Sequence, residues 1–150
     1  DGLMIDNQDY KIYKKMVERY PDVKFAIKLH PRTKENRFKD IIPSIQNSQM
    51  PWELIAWNRI VSNDNELFLV SISCGTLFSD KLLFGYEGSK MILAKVFKGF
   101  IRSNGEFCRI SDGLIQSYER FRKEFKSPEK FAMPHTEEEM FEILDNKWKN

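Results

Sequence analysis

The chain has 150 residues, a formal net charge of +2, 41% apolar residues and 31% charged residues. A chain of this length buries about two-thirds of its unfolded surface in one domain without help from metals or disulfides. The near-neutral charge argues against a dedicated nucleic-acid binder. Two cysteines are too few for a disulfide framework and indicate reduced thiols in an intracellular protein.

Short apolar runs alternate with helical patterns along the chain, which is typical of a parallel sheet covered by helices. The predicted strands span 3–5, 23–29, 41–45, 66–74 and 90–97. Helices are predicted over 9–20, from Pro51, over 75–85, and after caps at Ser111 and Thr136. Residues 99–110 and 126–135 are predicted loops. We therefore expect one Rossmann-like, doubly wound α/β domain with about five parallel strands and helices on both faces.

No apolar run approaches the roughly 18 residues of a membrane span, and no signal peptide precedes the first element. This favours a cytoplasmic protein, or one peripheral to a membrane. The chain opens on Asp1-Gly2-Leu3 and runs almost at once into an apolar segment. We expect it to be a piece of a longer protein.

Polar residues follow the predicted strands at the places where open parallel sheets bind ligands, outside the carboxyl ends of the strands. A further acidic residue, Glu53, lies at the start of the helix predicted between the strands 23–29 and 66–74. The candidate site comprises Lys28, His30, Pro31, Arg32, Glu53, Ser71, Ser73, Gly75 and Thr76.

These residue types in this order suit a nucleotide. Backbone N–H groups at the helix start after residue 74, with small hydroxyl side chains, would cradle an anion. His30 and Arg32 would complete a phosphate site, and Glu53 would accept from a ribose hydroxyl. Neither the Gly-rich P-loop nor the dinucleotide fingerprint is present. A zinc site has no support, since there is no CxxC and His135 is the only other histidine.

Each candidate also has a structural interpretation. A histidine at a strand end can bond to backbone while its ring packs, and Ser-X-Ser before Gly-Thr can simply cap a helix. Glu53 in a first helical turn is favoured by the helix dipole whether or not it contacts a ligand. His135, in "AMPHTEE", is assigned no role.

Four segments, "FAIKLHPR", "MPWELI", "LVSISCGTLFSDKLLFG" and "KMILAKVF", resemble in order the C-terminal half of bacterial GT-B sialyltransferases and polysialyltransferases. That family carries a His-Pro motif, a Pro-X-Glu helix start and a Ser-Ser/Thr motif in this order and at similar spacing. The resemblance covers about residues 3–97. The family's adjacent hydroxyl pair is here Ser73-Cys74-Gly75-Thr76, so the hydroxyl that takes its role is not specified.

The resemblance implies the nucleotide-binding half of an inverting, metal-independent transferase that uses CMP-sialic acid on a bacterial capsule or lipooligosaccharide glycan. By the same resemblance His30 contacts the donor phosphate and helps CMP depart, Glu53 lies near the ribose, and Ser73–Thr76 hold the phosphate. No cofactor is implied. The general base and acceptor site would belong to the missing N-terminal domain, so this half alone would bind donor weakly and turn over nothing. The expected location is the cytoplasm, either free or peripheral to the inner membrane.

Two alternatives remain open at this stage. A GT-B transferase of another donor, such as CDP-glycerol, would also place histidines on phosphates. A non-catalytic α/β binding module would give His30 and Glu53 structural roles only.

Overall fold

The computed structural model describes residues 2–4, 7–30, 33, 35–46, 49–63, 67–97, 99–102 and 104–149. These residues form an α/β fold, in which helices flank a three-stranded parallel sheet and a second, antiparallel sheet has three strands. The strands are β1 (Gly2–Met4), β2 (Leu69–Ser71), β3 (Lys90–Ile92), β4 (Gly99–Arg102), β5 (Phe107–Arg109) and β6 (Phe131–Ala132). The α-helices are α1 (Gln8–Arg19), α2 (Trp52–Ser62), α3 (Ser79–Phe84), α4 (Asp112–Lys123) and α5 (Glu137–Trp148).

The parallel sheet has the strand order β2-β3-β6, with Leu69 opposite Lys90 and Met91 opposite Ala132. Its central strand is completely enclosed, since Met91 and Ile92 have 0% of their surface exposed. A parallel strand covered on both faces needs apolar residues in succession, and "MILA", residues 91–94, supplies them. The sheet therefore forms the centre of the hydrophobic core.

Helices α1 and α5 pack together through a polar contact at the rim of the core. The Tyr20 hydroxyl donates to Asp145 Oδ1 at 2.7 Å, and Arg19 Nη2 lies 2.5 Å from Asp145 Oδ2. The caps predicted at Thr136 and Ser111 are confirmed: the Thr136 hydroxyl accepts from Glu139 N at 3.2 Å, and the Ser111 hydroxyl accepts from Leu114 N at 3.2 Å. Side-chain caps of this kind fix where α5 and α4 begin.

Four phenylalanines from different elements join α4 to the sheet. Phe78 and Phe121 have ring centroids 4.2 Å apart, and Phe125 stacks on Phe131 at 5.4 Å. Phe131, in β6, is fully buried. Full burial of a phenylalanine ring, as for Phe125 and Phe131, contributes about 1.5–3 kcal/mol. This aromatic cluster holds α4 against the sheet.

A buried ion pair connects the central strand to α3. Lys90 is fully enclosed, and its Nζ donates to Asp80 Oδ1 at 2.6 Å, to Asp80 Oδ2 at 2.8 Å and to the Leu77 carbonyl at 2.8 Å. The Phe125 ring lies 5.2 Å from the same nitrogen. Burial lowers the pKa of Lys90, and the hydrogen-bonded Asp80 opposes that shift. The three donated bonds satisfy the ammonium and fix the 3₁₀ turn Gly75–Phe78 and α3 on β3.

The expected sheet of about five parallel strands is wrong, because the described residues form a parallel sheet of three. Of the five predicted strands, 66–74 and 90–97 join it, in the shorter forms β2 and β3. Segment 23–29 is extended and makes a single parallel bridge, Ile27 to Ser44. Ile27 N donates to the Pro43 carbonyl at 2.9 Å. Because Pro43 has no N–H, it cannot continue the ladder.

The remaining differences lie at the chain start and in the predicted loops. β1 pairs with β4 in the antiparallel sheet, with Leu3 opposite Ile101, while Ile5 lies outside the described residues. The predicted loop 99–110 contains the hairpin of β4 and β5, which turns at Gly105 with φ of +82°. The predicted loop 126–135 contains β6, the third strand of the parallel sheet.

Replacing Lys90 by methionine should lower the free energy of unfolding by about 3–5 kcal/mol, because Asp80 is left buried without its cation. Urea denaturation measures the change. The double variant Lys90→Met/Asp80→Leu should recover most of the loss, and Lys14→Met, which breaks an exposed pair with Glu18, should cost less than about 1 kcal/mol. Equal losses in Lys90→Met and Lys14→Met would contradict the role given to the buried pair.

Glu87 makes the fold sensitive to acid. Its carboxylate accepts from Lys81 Nζ, from Lys126 N at 3.1 Å and from Ser127 N at 3.3 Å, and these bonds lower its pKa to about 2. A lowered carboxylate pKa contributes stability above the ordinary value near 4.5, and that contribution is lost as pH falls towards 2. Glu87→Gln should therefore lower Tm near neutral pH, with a difference from wild type that shrinks on acidification. A difference independent of pH would refute this assignment.

Candidate functional site

The carboxyl edge of the parallel sheet gathers polar side chains from the chain that follows each strand. Ser73 follows β2, Lys95 follows β3 and His135 follows β6. Helix α4 contributes two consecutive residues to the same edge, Tyr118 and Glu119. Ser73 Oγ and Tyr118 Oη lie 2.8 Å apart, Lys95 Nζ donates to Glu119 Oε1 at 2.6 Å, and Lys95 Nζ lies 3.3 Å from His135 Nε2.

Ser73 is the predicted residue most firmly fixed by its surroundings. It is exposed, whereas its partner Tyr118 is only 4% exposed and satisfies its hydroxyl through this bond. Ser71, at the end of β2, accepts from Leu93 N through its carbonyl at 2.8 Å, which holds the strand end on the neighbouring segment. If Tyr118 donates, the Ser73 proton is directed away from the bond, where it can be donated to an anion.

The predicted helix start after residue 74 is a 3₁₀ turn, Gly75–Phe78, that continues into the six-residue α3. Cys74 Sγ donates to Thr76 Oγ1 at 3.1 Å, and Leu77 N donates to the Cys74 carbonyl at 3.3 Å. A Cβ on Gly75 would meet nothing within 4 Å. The turn thus presents a hydroxyl, a thiol and open backbone next to Ser73.

Glu53 lies in the first turn of α2, as predicted, and is half-buried. Its Oε1 accepts from the Ser79 hydroxyl at 2.9 Å. Because Ser79 is the first residue of α3, this bond joins the starts of two helices. The contact favours the structural interpretation of Glu53, and its role near a ribose stays a prediction.

His30 is exposed at the end of the extended segment, and its carbonyl accepts from Thr33 N at 2.8 Å. Lys28 is half-buried, and its Nζ donates to the Leu29 carbonyl at 2.8 Å. Pro31 and Arg32 lie outside the described residues. Side-chain hydrogen bonds join Ser73 to Tyr118 and Ser79 to Glu53. The link between His30 and Ser73 lies in the packing of the segment that carries His30.

That packing centres on Trp148, the last residue of α5. The ring centroid of Trp148 is 5.8 Å from that of Phe25 and 5.5 Å from that of Phe68. Phe25 belongs to the extended segment and Phe68 immediately precedes β2. The segments that lead to His30 and to Ser73 therefore meet at the same side chain.

Sequence reasoning missed Lys95, His135, Tyr118 and Glu119. The apolar pattern of 90–97 predicts a strand through Lys95, but the chain turns there, with Val96 N donating to the Leu93 carbonyl at 3.0 Å. His135 follows "FAMP" after β6, a strand-end position like that predicted for His30 after "FAIKL". Because β6 is the third strand of the parallel sheet, His135 lies at the carboxyl edge of that sheet.

In the cluster of Lys95, Glu119 and His135 at this edge, the charges of Lys95 and Glu119 offset each other. The hydrogen bond from Lys95 lowers the pKa of Glu119, with the positive charge of Lys95 and a smaller effect of His135 acting in the same direction. Lys95 is largely covered, with 17% of its side chain exposed, while Glu119 is 46% exposed. The cluster therefore holds the turn after β3, the chain after β6 and α4 in fixed relative positions.

Among the described residues, no group of three or more His, Cys, Asp or Glu side chains is arranged to hold a metal ion. In the same part of the chain, no helix combines the length and the apolar character needed to cross a membrane. Comparison with protein-family models, curated proteins and solved structures finds no match to this chain.

The Ser73–Tyr118 bond predicts an asymmetric response to mutation. Ser73→Ala leaves the buried Tyr118 hydroxyl without its partner, at a cost of about 1–3 kcal/mol, whereas Tyr118→Phe leaves an exposed serine that water can satisfy and should cost about 1 kcal/mol. Ser117→Ala, one position away on α4 and exposed, is the control and should have a smaller effect. Urea denaturation of the three variants tests the order, and a larger cost for Tyr118→Phe would contradict it.

Proposed function

We propose that this chain is the CMP-sialic-acid-binding half of an inverting, metal-independent sialyltransferase, a Rossmann-like domain from the C-terminal part of a longer GT-B enzyme. The proposal starts from the ordered motifs around His30, Glu53 and Ser73–Thr76, and the α/β fold with a parallel sheet is compatible with it. The glycan acceptor and the general base belong, on this proposal, to the missing N-terminal domain.

The observation that carries the proposal is the shared packing of Phe25 and Phe68 on Trp148. His30 lies five residues after Phe25, and Ser73 lies five residues after Phe68. We infer that the two segments continue from Trp148 in the same direction. Because extended chains advance about 3.3 Å per residue, His30 and Ser73 would then lie near the same edge of the sheet. Open α/β sheets bind ligands outside the carboxyl ends of their strands.

The chemistry of the site supports a departing nucleotide phosphate. CMP leaves as a phosphate monoester dianion, and hydroxyl and imidazole donors held around its oxygens stabilise that charge as it develops. Ser73, with its oxygen fixed by Tyr118, and Thr76 are the hydroxyl donors on this proposal. His30, exposed at the segment end, stabilises the charge or passes a proton to the leaving oxygen. Lys28 adds positive charge behind it.

A second candidate, a non-catalytic α/β binding module, is favoured by two contacts. Glu53 is bonded to Ser79 and Ser73 to Tyr118, so both side chains have partners within the protein. A transferase that uses CDP-glycerol would share the cytidine site and differ in the group transferred. Ligand binding separates these functions.

Millimolar CMP should raise Tm, because a ligand bound only by the folded chain stabilises it once its concentration exceeds Kd. CMP should also shift the amide resonances of 28–30, 53 and 71–76. His30→Ala should abolish most of both effects. Lys24→Ala is the matched control, since it removes an exposed side chain from the same segment, and should leave both effects in place.

Indifference of the wild-type chain to CMP, CDP and UDP would refute the nucleotide proposal and favour the binding module. Undiminished CMP binding by His30→Ala would remove His30 from the site. Stronger stabilisation by CDP than by CMP would favour a CDP-linked donor.

A further inference from the structure

A cavity of about 500 Å³ opens beyond the carboxyl end of β3, in a part of the edge that the nucleotide proposal does not use. Its floor is apolar and belongs to the core: Ala94, Phe97 and Ile110 are only 1%, 2% and 5% exposed. The volume lies within the range of about 300–1,000 Å³ that small-molecule sites occupy.

One wall of this cavity is a phenyl ring that solvent reaches. Phe107, in β5, lines the cavity with 51% of its surface exposed. Its ring is seated over Gly99 of β4, where a Cβ would lie 2.7 Å from the ring and 2.5 Å from the Cys108 carbonyl oxygen. The glycine thus makes room for the ring, which is held in place while one face remains available. Ile115 of α4 also lines the cavity.

The rim of the cavity carries both donors and an acceptor. Lys95, Arg109 and Asp112 line it. Arg109 Nη2 and Asp112 Oδ1 are 3.6 Å apart, with 73% and 76% of their side chains exposed. An exposed pair at that separation contributes little to stability, so its groups can turn to a ligand at small cost. Since Lys95 is paired with Glu119, the rim has no strong excess of either charge.

A ligand that fits this arrangement has an apolar face for the phenyl ring and hydroxyl groups for both donors and acceptors. A pyranose sugar has both, because its C–H groups lie on the faces of the ring and its hydroxyls at the edge. A strongly charged ligand is less suited to a balanced rim. We propose that the cavity binds neutral pyranose residues of a glycan, with Phe107 as the stacking surface and Arg109 and Asp112 as hydrogen-bonding groups.

The cavity lies next to the edge of the sheet that carries Ser73. Ile115 precedes Tyr118 and Glu119 by one turn of α4, so the same helix borders the glycan cavity and the edge that carries Ser73. One turn of helix is about 5.4 Å, which is shorter than a sugar ring with its substituents. A sugar in the cavity therefore lies next to the sheet edge, yet its binding needs no nucleotide.

The test uses lactose, N-acetyllactosamine and chitobiose as neutral disaccharide probes, with binding followed by amide chemical shifts of the whole chain. At least one should shift the amides of 94–97, 107–110 and 112–115, with Kd on the order of millimolar. Phe107→Ala should weaken that binding about tenfold, the loss expected for an aromatic stacking surface. Tyr86→Ala, which removes another exposed ring, should leave the affinity unchanged.

Asp112→Asn provides a variant that does not disturb apolar packing, because the side chain is exposed, and should also weaken the binding. The proposal is overturned if none of the three disaccharides shifts these amides at concentrations on the order of 50 mM. It is equally overturned if Phe107→Ala and Asp112→Asn bind as tightly as the wild type. Shifts of 107–115 caused by CMP and not by the disaccharides would assign the cavity to the nucleotide, whereas CMP shifts confined to 28–30, 53 and 71–76 leave the two sites separate.

Discussion

The buried ammonium of Lys90 is the interaction on which the arrangement of the sheet edge depends. It lies at the start of the central strand and donates to both carboxylate oxygens of Asp80 and to the Leu77 carbonyl. Burying two charges costs several kcal/mol, and an apolar pair of the same volume would be about as stable. What the ion pair adds is direction, since three acceptors at fixed positions determine how the Gly75–Phe78 turn leaves β2 and returns along α3.

Helix α4 extends that order across the carboxyl edge. Phe121 anchors it to Phe131 of β6, and Tyr118 and Glu119 bond to the segments after β2 and β3. One turn earlier, Ile115 closes the side of the 500 Å³ cavity. A single helix therefore borders both the proposed phosphate site and the proposed glycan site. A donor and a sugar could then be held side by side on the carboxyl edge of the sheet.

The helices could be predicted because their signals are local: apolar spacing defines α1 and α4, and Ser111 and Thr136 cap as expected. The strands of the sheet are harder to predict than the helices, since whether a segment joins a sheet depends on partners distant in sequence. Two-residue β6 has no pattern of its own, and Pro43 stops a ladder that the apolar residues around it suggest. Asn104-Gly105 is a strong local hairpin signal, and the hairpin of β4 and β5 turns there. Because the end of β3 and the presence of β6 could not be predicted, Lys95 and His135 were not expected at the sheet edge. Ser73 was expected there because β2 is strongly apolar.

The central claim is that His30 and Ser73 meet at one edge of the sheet, and a spin label tests it without any ligand. Cys74 is exposed and adjacent to Ser73, and Cys108→Ser leaves it as the only thiol. If the two segments run side by side, at about 5 Å, a label on Cys74 should lie within about 15 Å of the His30 ring and broaden its resonances strongly. Unbroadened His30 resonances, with those of Tyr118 broadened, would show that the two segments diverge and would contradict the account.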